Sequence, residues 1–162
     1  MAIPPFLAEL RTFVGNHPLW LSAVAAVVVD DRQRVLLARR ADDGRWASVG
    51  GILDPGEQPA DGVVRECLEE TGVVVVPELL ASATVTPPIS YPNGDVTQYL
   101  VLTFRCRAVG GEARVNDDES LEVGWFALDE LPPMIDSEHD RLRHALECKG
   151  PAVFTLDGRE HP

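Results

Sequence analysis

The chain has 162 residues, 45% of them hydrophobic and 25% charged, enough apolar material for a real core, which excludes disordered and fibrous classes. Acidic residues outnumber basic ones 26 to 14, for a net charge of −12. Such a surface repels a polyanionic backbone or an anionic membrane at long range, so neither a nucleic-acid polymer nor a membrane is expected as partner. Cys67, Cys106 and Cys148 fall in separate segments without CxxC spacing, and read as reduced thiols rather than a disulfide framework or zinc site. The N-terminal MAIPPFL carries no basic region, and the apolar run Leu19 to Val29 is about half of the ~20 residues a spanning helix needs. A soluble, cytoplasmic protein is expected.

In chain order, Phe6, Leu7, Leu10 and Val14 recur at helical spacing behind two prolines and ahead of Gly15, which predicts a helix over 4–14. Leu19 to Val29 and Arg34 to Arg39, separated by Asp30-Asp31-Arg32-Gln33, read as a β-hairpin. A loop-like stretch from Arg40 to Gly56 encloses a short strand around Trp46 to Val49. Pro59 to Thr71 reads as a helix with Gly72 beyond its end. At 100° per residue, Val63, Val64, Cys67, Leu68 and Thr71 share an apolar arc, and Arg65, Glu66, Glu69 and Glu70 lie on an acidic one. Val73 to Thr86 and Val96 to Val109 read as strands joined through Pro92-Asn93-Gly94-Asp95. In the second, Leu100, Leu102, Phe104, Cys106 and Ala108 alternate with polar or mixed positions, which predicts one core face. A strand over Leu121 to Ala127 and a helix over Ser137 to Cys148 follow, then a peripheral tail.

Glu66, Glu69 and Glu70 stand at i, i+3 and i+4, the spacing that brings helical side chains together. Like charges so held repel unless a cation sits between them. Mg²⁺ suits this, since it prefers oxygen ligands and binds one or two carboxylates together with substrate phosphates. The alternative is a solvated acidic face that Arg65 partly neutralises.

The surroundings decide between the two. Gly51, Glu57, Arg65, Glu66, Glu69, Glu70 and Gly72 stand at the spacing G-x5-E-x7-R-E-U-x-E-E-x-G-U, where U is a bulky aliphatic. At ~7% usage per residue type, seven fixed positions coincide by chance on the order of 10⁻⁸ per starting point. This stretch resembles the signature of the Nudix hydrolase family. Cys67 stands at one aliphatic position, where it serves as a small hydrophobe. Ser48-Val49-Gly50-Gly51 lacks the proline that many members carry before the glycine pair.

The resemblance implies an α/β (α+β) fold, a Nudix-like α/β/α sandwich with a mixed β-sheet between helices. It is expected as a single domain over 1–162, with a core at about 19–148, an N-terminal helix over 4–14 and a peripheral tail over 149–162. It further implies hydrolysis of a nucleoside diphosphate linked to another moiety. Carried onto matching positions, Glu66, Glu69 and Glu70 would hold Mg²⁺ or Mn²⁺ with the Gly50 carbonyl as an additional ligand. Glu57 and Arg65 would orient them.

A diphosphate repels an attacking water, so metal must neutralise its oxygens and a carboxylate must take the water's proton. Glu70 and Glu119, the latter in the loop Asp117-Asp118-Glu119, are the two candidates; the alternative for Glu119 is a solvated turn. Arg39, Arg40 and Arg45 are candidates for substrate phosphate or ribose, and Trp46, Tyr91, Tyr99 and Trp125 for stacking a base or for the core. The four histidines form no ligand-like cluster.

For substrate, Pro87-Pro88 resembles a feature of ADP-ribose-cleaving relatives, whereas Tyr91 resembles one of dinucleoside polyphosphate-cleaving relatives. An ADP-ribose-like substrate is favoured. The alternatives are nucleoside triphosphate pyrophosphohydrolysis, including removal of oxidised nucleotides, and a nucleotide-sensing module without turnover. Such a module would be expected to lose motif carboxylates, which are all present. A homodimer is expected, as two-fold dimers are the commonest oligomers.

Overall fold

Proline fixes φ and lacks an N–H, which suits a first helical turn, and among the described residues two of the three helices begin on one: α1 (Pro5–Val14) and α2 (Pro59–Thr71). α2 stops at Gly72, whose left-handed conformation (φ 70°) lets its N–H donate to the Leu68 carbonyl, a turn that a side chain would strain. α3 spans Asp136–Glu147. These bounds lie within one residue of those read from the sequence. The computed structural model describes residues 3–156 and 159–161.

The strands are β1 (Leu19–Val29), β2 (Val35–Arg40), β3 (Trp46–Ala47), β4 (Val49–Ile52), β5 (Val73–Val85), β6 (Ile89–Ser90), β7 (Val96–Gly111), β8 (Ser120–Phe126), β9 (Val153–Leu156) and β10 (Arg159–His161). They form one mixed sheet in the order β10-β9-β5-β7-β1-β2-β3, with β4 against β1, β6 against β7 and β8 against β2. β1 runs parallel to β7, and β9 parallel to β5. Among the described residues no helix is long and apolar enough to cross a membrane.

Helices cover both faces, as expected of the sandwich. Val24, Ala26 and Val28 of β1 face α2 through Val63 and Cys67. Val27 and Val29 pack with Leu142 and Ala145 of α3, and Leu21 with Leu7 of α1. This double cover explains why the run Leu19 to Val29 is almost continuously apolar rather than alternating. Cys67 and Cys106 are fully buried in the α2-side core, so cysteine at the aliphatic position of the signature is a packing residue.

Four sequence expectations need correction. The hairpin of β1 and β2 pairs only at Val29↔Val35; β2 then diverges to pair with β8, and β4 takes the place beside the middle of β1. The Asn-Gly turn joins β6 to β7, not β5 to β7, although β5 and β7 do pair antiparallel along most of their length. The core of β7 is two-sided, because Val101 (4% exposed) and Thr103 (0%) lie on the face read as solvated. On α2, Leu68 is 47% exposed while Glu70 is 7% exposed: the helix packs on Val63, Cys67, Glu70 and Thr71, so its buried arc is rotated toward the acidic side. The tail beyond α3 adds β9 and β10 to the sheet edge beside β5; Asp157, Gly158 and Pro162 of that tail, like Met1 and Ala2, lie outside the described residues.

Candidate active site

The glycine pair exists because two neighbours come too close for side chains. In register opposite Ala25 and Val24, Gly50 and Gly51 sit on β4, where a Cβ on Gly50 would collide with the Val24 carbonyl. A Cβ on Gly51 would fall within the Glu66 carboxylate. β4 therefore presents bare backbone to α2, and the Gly50 N–H donates to Glu70 Oε1 at 3.2 Å. This bond crosses from sheet to helix and explains how a glutamate is accommodated on the packed side of α2.

Burial and mutual repulsion shape the charges here. Burial pushes the Glu70 carboxyl up to about 8, with the charges of Glu66, Asp117 and Glu119 adding to the rise and the Gly50 N–H opposing it. Glu66 is pushed up to about 7, again chiefly by burial, against the pull of Arg65. Both therefore resist carrying their charges without a cation.

Arg65 ties the loop before α2 to the helix. Its guanidinium forks onto Glu57, with Nε donating to Oε1 at 2.7 Å and Nη2 to Oε2 at 2.8 Å. Nη1 donates to Glu66 Oε1 at 2.8 Å and to Glu69 Oε2 at 3.0 Å. Glu57 also accepts the Asp54 N–H, and the Arg65 hydrogen bonds hold its carboxyl below the usual range. The pair expected to orient the site is thus in contact with it. Glu69 stands apart from Glu66 and Glu70: its side chain is half-exposed and turns to Arg65.

The loop between β7 and β8 is stitched onto the end of α2 by bonds the sequence reading missed. The Arg114 N–H donates to the Thr71 carbonyl, and the Asn116 N–H to that of Glu70. The Asn116 side chain donates to the Leu68 and Glu69 carbonyls at 3.0 and 3.1 Å, so it shares the first with the Gly72 N–H and serves, in the second, a carbonyl at the helix end. The only sequence signal was an asparagine ahead of an acidic loop. Through this stitching Asp117 and Glu119 come close enough to act electrostatically on Glu70, and Glu119 on Glu66. The Glu119 carbonyl accepts the Ala41 N–H at 2.8 Å, which ties the same loop to the end of β2.

The substrate-side candidates are dispersed. Arg40 forks onto Asp42 and feels Tyr91. The Tyr91 and Tyr99 hydroxyls share a hydrogen bond of 2.9 Å. Arg39 donates to the Gly44 carbonyl and to Glu122, and Arg45 is exposed beside Asp43. Trp46 packs edge-on against Phe126, and the partly buried Trp125 packs against the α2-side core with Arg34 over its ring. A cavity of about 370 Å³ between Asp30, Val73, Arg107, Gly110 and Trp125 includes none of the site residues.

Among the described residues no three acidic, histidine or cysteine side chains form a ready cage for a metal. The donor set nonetheless fits a hard divalent cation: a buried and a partly buried carboxylate repel each other beside bare backbone, and Mg²⁺ needs only one or two carboxylates when substrate phosphates and water complete its shell.

The family model of the NUDIX domain matches residues 20–146. A MutT-like protein of Streptomyces ambofaciens is 40% identical over 145 residues, covering 89% of this chain and 88% of that protein. The NAD-capped RNA hydrolase NudC of Pseudomonas aeruginosa is 34% identical over 130 residues, covering 78% of this chain but 43% of that protein, so the chain spans less than half of it. The crystal structure of an ADP-ribose pyrophosphatase from Streptococcus suis matches with a TM-score of 0.61 and 27% identity, covering 78% of this chain and 90% of that one.

Proposed function

Because the chain belongs to the Nudix hydrolase family and is a hydrolase of pyrophosphate bonds in nucleotide-linked diphosphates, we propose that it cleaves ADP-ribose or a closely similar adenosine diphosphate derivative. In this reading it works as a single domain with Mg²⁺ or Mn²⁺. One observation carries it: the buried Glu70 and the partly buried Glu66 stand against the bare Gly50-Gly51 backbone within a complete signature.

Glu66, Glu69 and Glu70 would hold the metal, with the Gly50 carbonyl as a further donor. When bound, the metal supplies charge neutralisation for the diphosphate oxygens and acidifies the attacking water. Arg65, fixed by the fork on Glu57, holds Glu66 and Glu69 in orientation. Glu70 and Glu119, the latter on the loop that Asn116 ties to α2, would be the two candidates to take the water's proton. Arg40 with Tyr91 and Tyr99 forms the polar end at which a ribose or phosphate would be bound, whereas Arg39 and Arg45 serve from the rim.

ADP-ribose is favoured by the likeness to the Streptococcus suis enzyme and by Pro87-Pro88. A second reading, cleavage of the diphosphate in NAD, is favoured by the likeness to NudC; the charge of −12 argues against a polymer carrying that group. The test is a phosphate-release screen, after phosphatase treatment, over ADP-ribose, NAD, dinucleoside polyphosphates and nucleoside triphosphates with Mg²⁺ or Mn²⁺. Turnover of ADP-ribose that is lost in Glu70→Gln supports the proposal. Preference for a triphosphate, with pyrophosphate as product, would replace it; tight binding without turnover would make the chain a sensing module.

A further inference from the structure

Glu138 lies in the first turn of α3 and is 4% exposed, yet both its carboxylate oxygens are engaged. Oε2 accepts the backbone N–H of Ser48 at 2.9 Å, and Oε1 pairs with Arg141 one turn further along. Ser48 is the single residue between β3 and β4, two positions before Gly50. At such a break the N–H has no ladder partner, and leaving it buried without an acceptor is costly. The Ser48 hydroxyl is itself buried and finds no partner among the described residues, so among them the Glu138 carboxylate is the side-chain partner that Ser48 has.

Ser48 to Gly50 is thus held from both layers at once. Glu138 of α3 grips the Ser48 N–H, and Glu70 of α2 grips the Gly50 N–H. Between them Val49 is fully buried in the α2-side core, so the three residues have little freedom to shift independently. We propose that Glu138 is a positioning residue: through Ser48 it sets where the Gly50 carbonyl and the Gly51 backbone face Glu66 and Glu70, so metal binding and turnover depend on α3. This rests on the hydrolase reading of the same site.

The test compares wild type with Glu138→Met, which keeps the buried volume but removes the acceptor, and Glu138→Gln, whose amide oxygen still accepts the Ser48 N–H. Mn²⁺ alone is titrated by the electron paramagnetic resonance of the free ion, and kcat and KM are measured with ADP-ribose at saturating Mg²⁺, with urea midpoints as the control for folding. Partners that orient metal ligands typically control affinity or activity by about 10–100-fold. The expected result for Glu138→Met is therefore a roughly tenfold weaker Mn²⁺ Kd and a kcat at least about tenfold lower, with KM within about threefold of wild type. Glu138→Gln should recover both to within about threefold. A folded Met variant with native Mn²⁺ affinity and kcat overturns the proposal, as does a Gln variant impaired as much as Met or a loss confined to KM. If Glu138→Met does not fold, Glu138→Ala takes its place in the same comparison. Absence of wild-type turnover on every substrate would reject the hydrolase reading, and the Mn²⁺ titrations would still decide the role of Glu138.

Discussion

Replacing Glu70 by Gln should abolish turnover and at the same time stabilise the metal-free protein. A carboxyl raised from the ordinary 4.5 to about 8 corresponds to ~4–5 kcal/mol against the folded state at full ionisation, at about 1.4 kcal/mol per unit. The charge is coupled to that of Glu66 and relaxes with its surroundings, so the recoverable part is about 1–3 kcal/mol. Glutamine keeps the oxygen that accepts the Gly50 N–H and loses only the charge. Because the folded-state pKa is raised, the penalty is fully present above about 8 and disappears as pH falls toward the unfolded carboxyl's 4.5, so the advantage of Gln must shrink in the same window. Urea or thermal unfolding in EDTA measures it: a gain of roughly 3–10 °C in Tm at pH 8, nearly absent at pH 5. A variant less stable than wild type at pH 8, or a gain that is equal at both pH values, would refute the reasoning.

Gly51→Ala places a methyl within the Glu66 carboxylate; overpacking of this kind costs about 1–3 kcal/mol, and kcat should fall far more than stability does in parallel unfolding and steady-state assays. Arg65→Met leaves the partly buried Glu57 carboxylate without its fork, a loss of about 1–3 kcal/mol given the partial exposure of the pair. Glu57 is held below its usual range, so that loss is present near neutral pH and fades as pH falls through the range where Glu57 protonates; unfolding at pH 7 and pH 3.5 compares the two. Cys67→Val, at the signature's aliphatic position, should change stability by under about 1.5 kcal/mol and leave kcat intact.

The local elements were legible because their signals are local: prolines and glycines at helix ends, apolar periodicity, and the Asn-Gly turn. Partner choice was not. Nothing within Leu19 to Arg39 tells that β2 leaves β1 for β8, since that pairing is decided by a strand about 85 residues away. The carboxylates were legible from spacing, but the burial of Glu70 was not, because an isolated wheel centres the apolar arc near Thr71 with Leu68 at one edge, while packing on the sheet centres it near Cys67, leaving Leu68 exposed and taking in Glu70. Asn116 and Glu138 escaped notice for a related reason. Each acts through a bond to backbone distant in sequence, to Leu68 and Glu69 or to Ser48, and such bonds leave no pattern in side-chain type.

The most direct test of the account is chromatographic identification of the products formed from ADP-ribose by wild type and by Glu70→Gln with Mg²⁺ and with EDTA. AMP and ribose 5-phosphate from wild type with Mg²⁺, and from neither EDTA-treated enzyme nor the variant, is the predicted result. Unchanged product formation by Glu70→Gln would contradict the assignment of the chemistry to Glu66 and Glu70 beside the Gly50-Gly51 backbone.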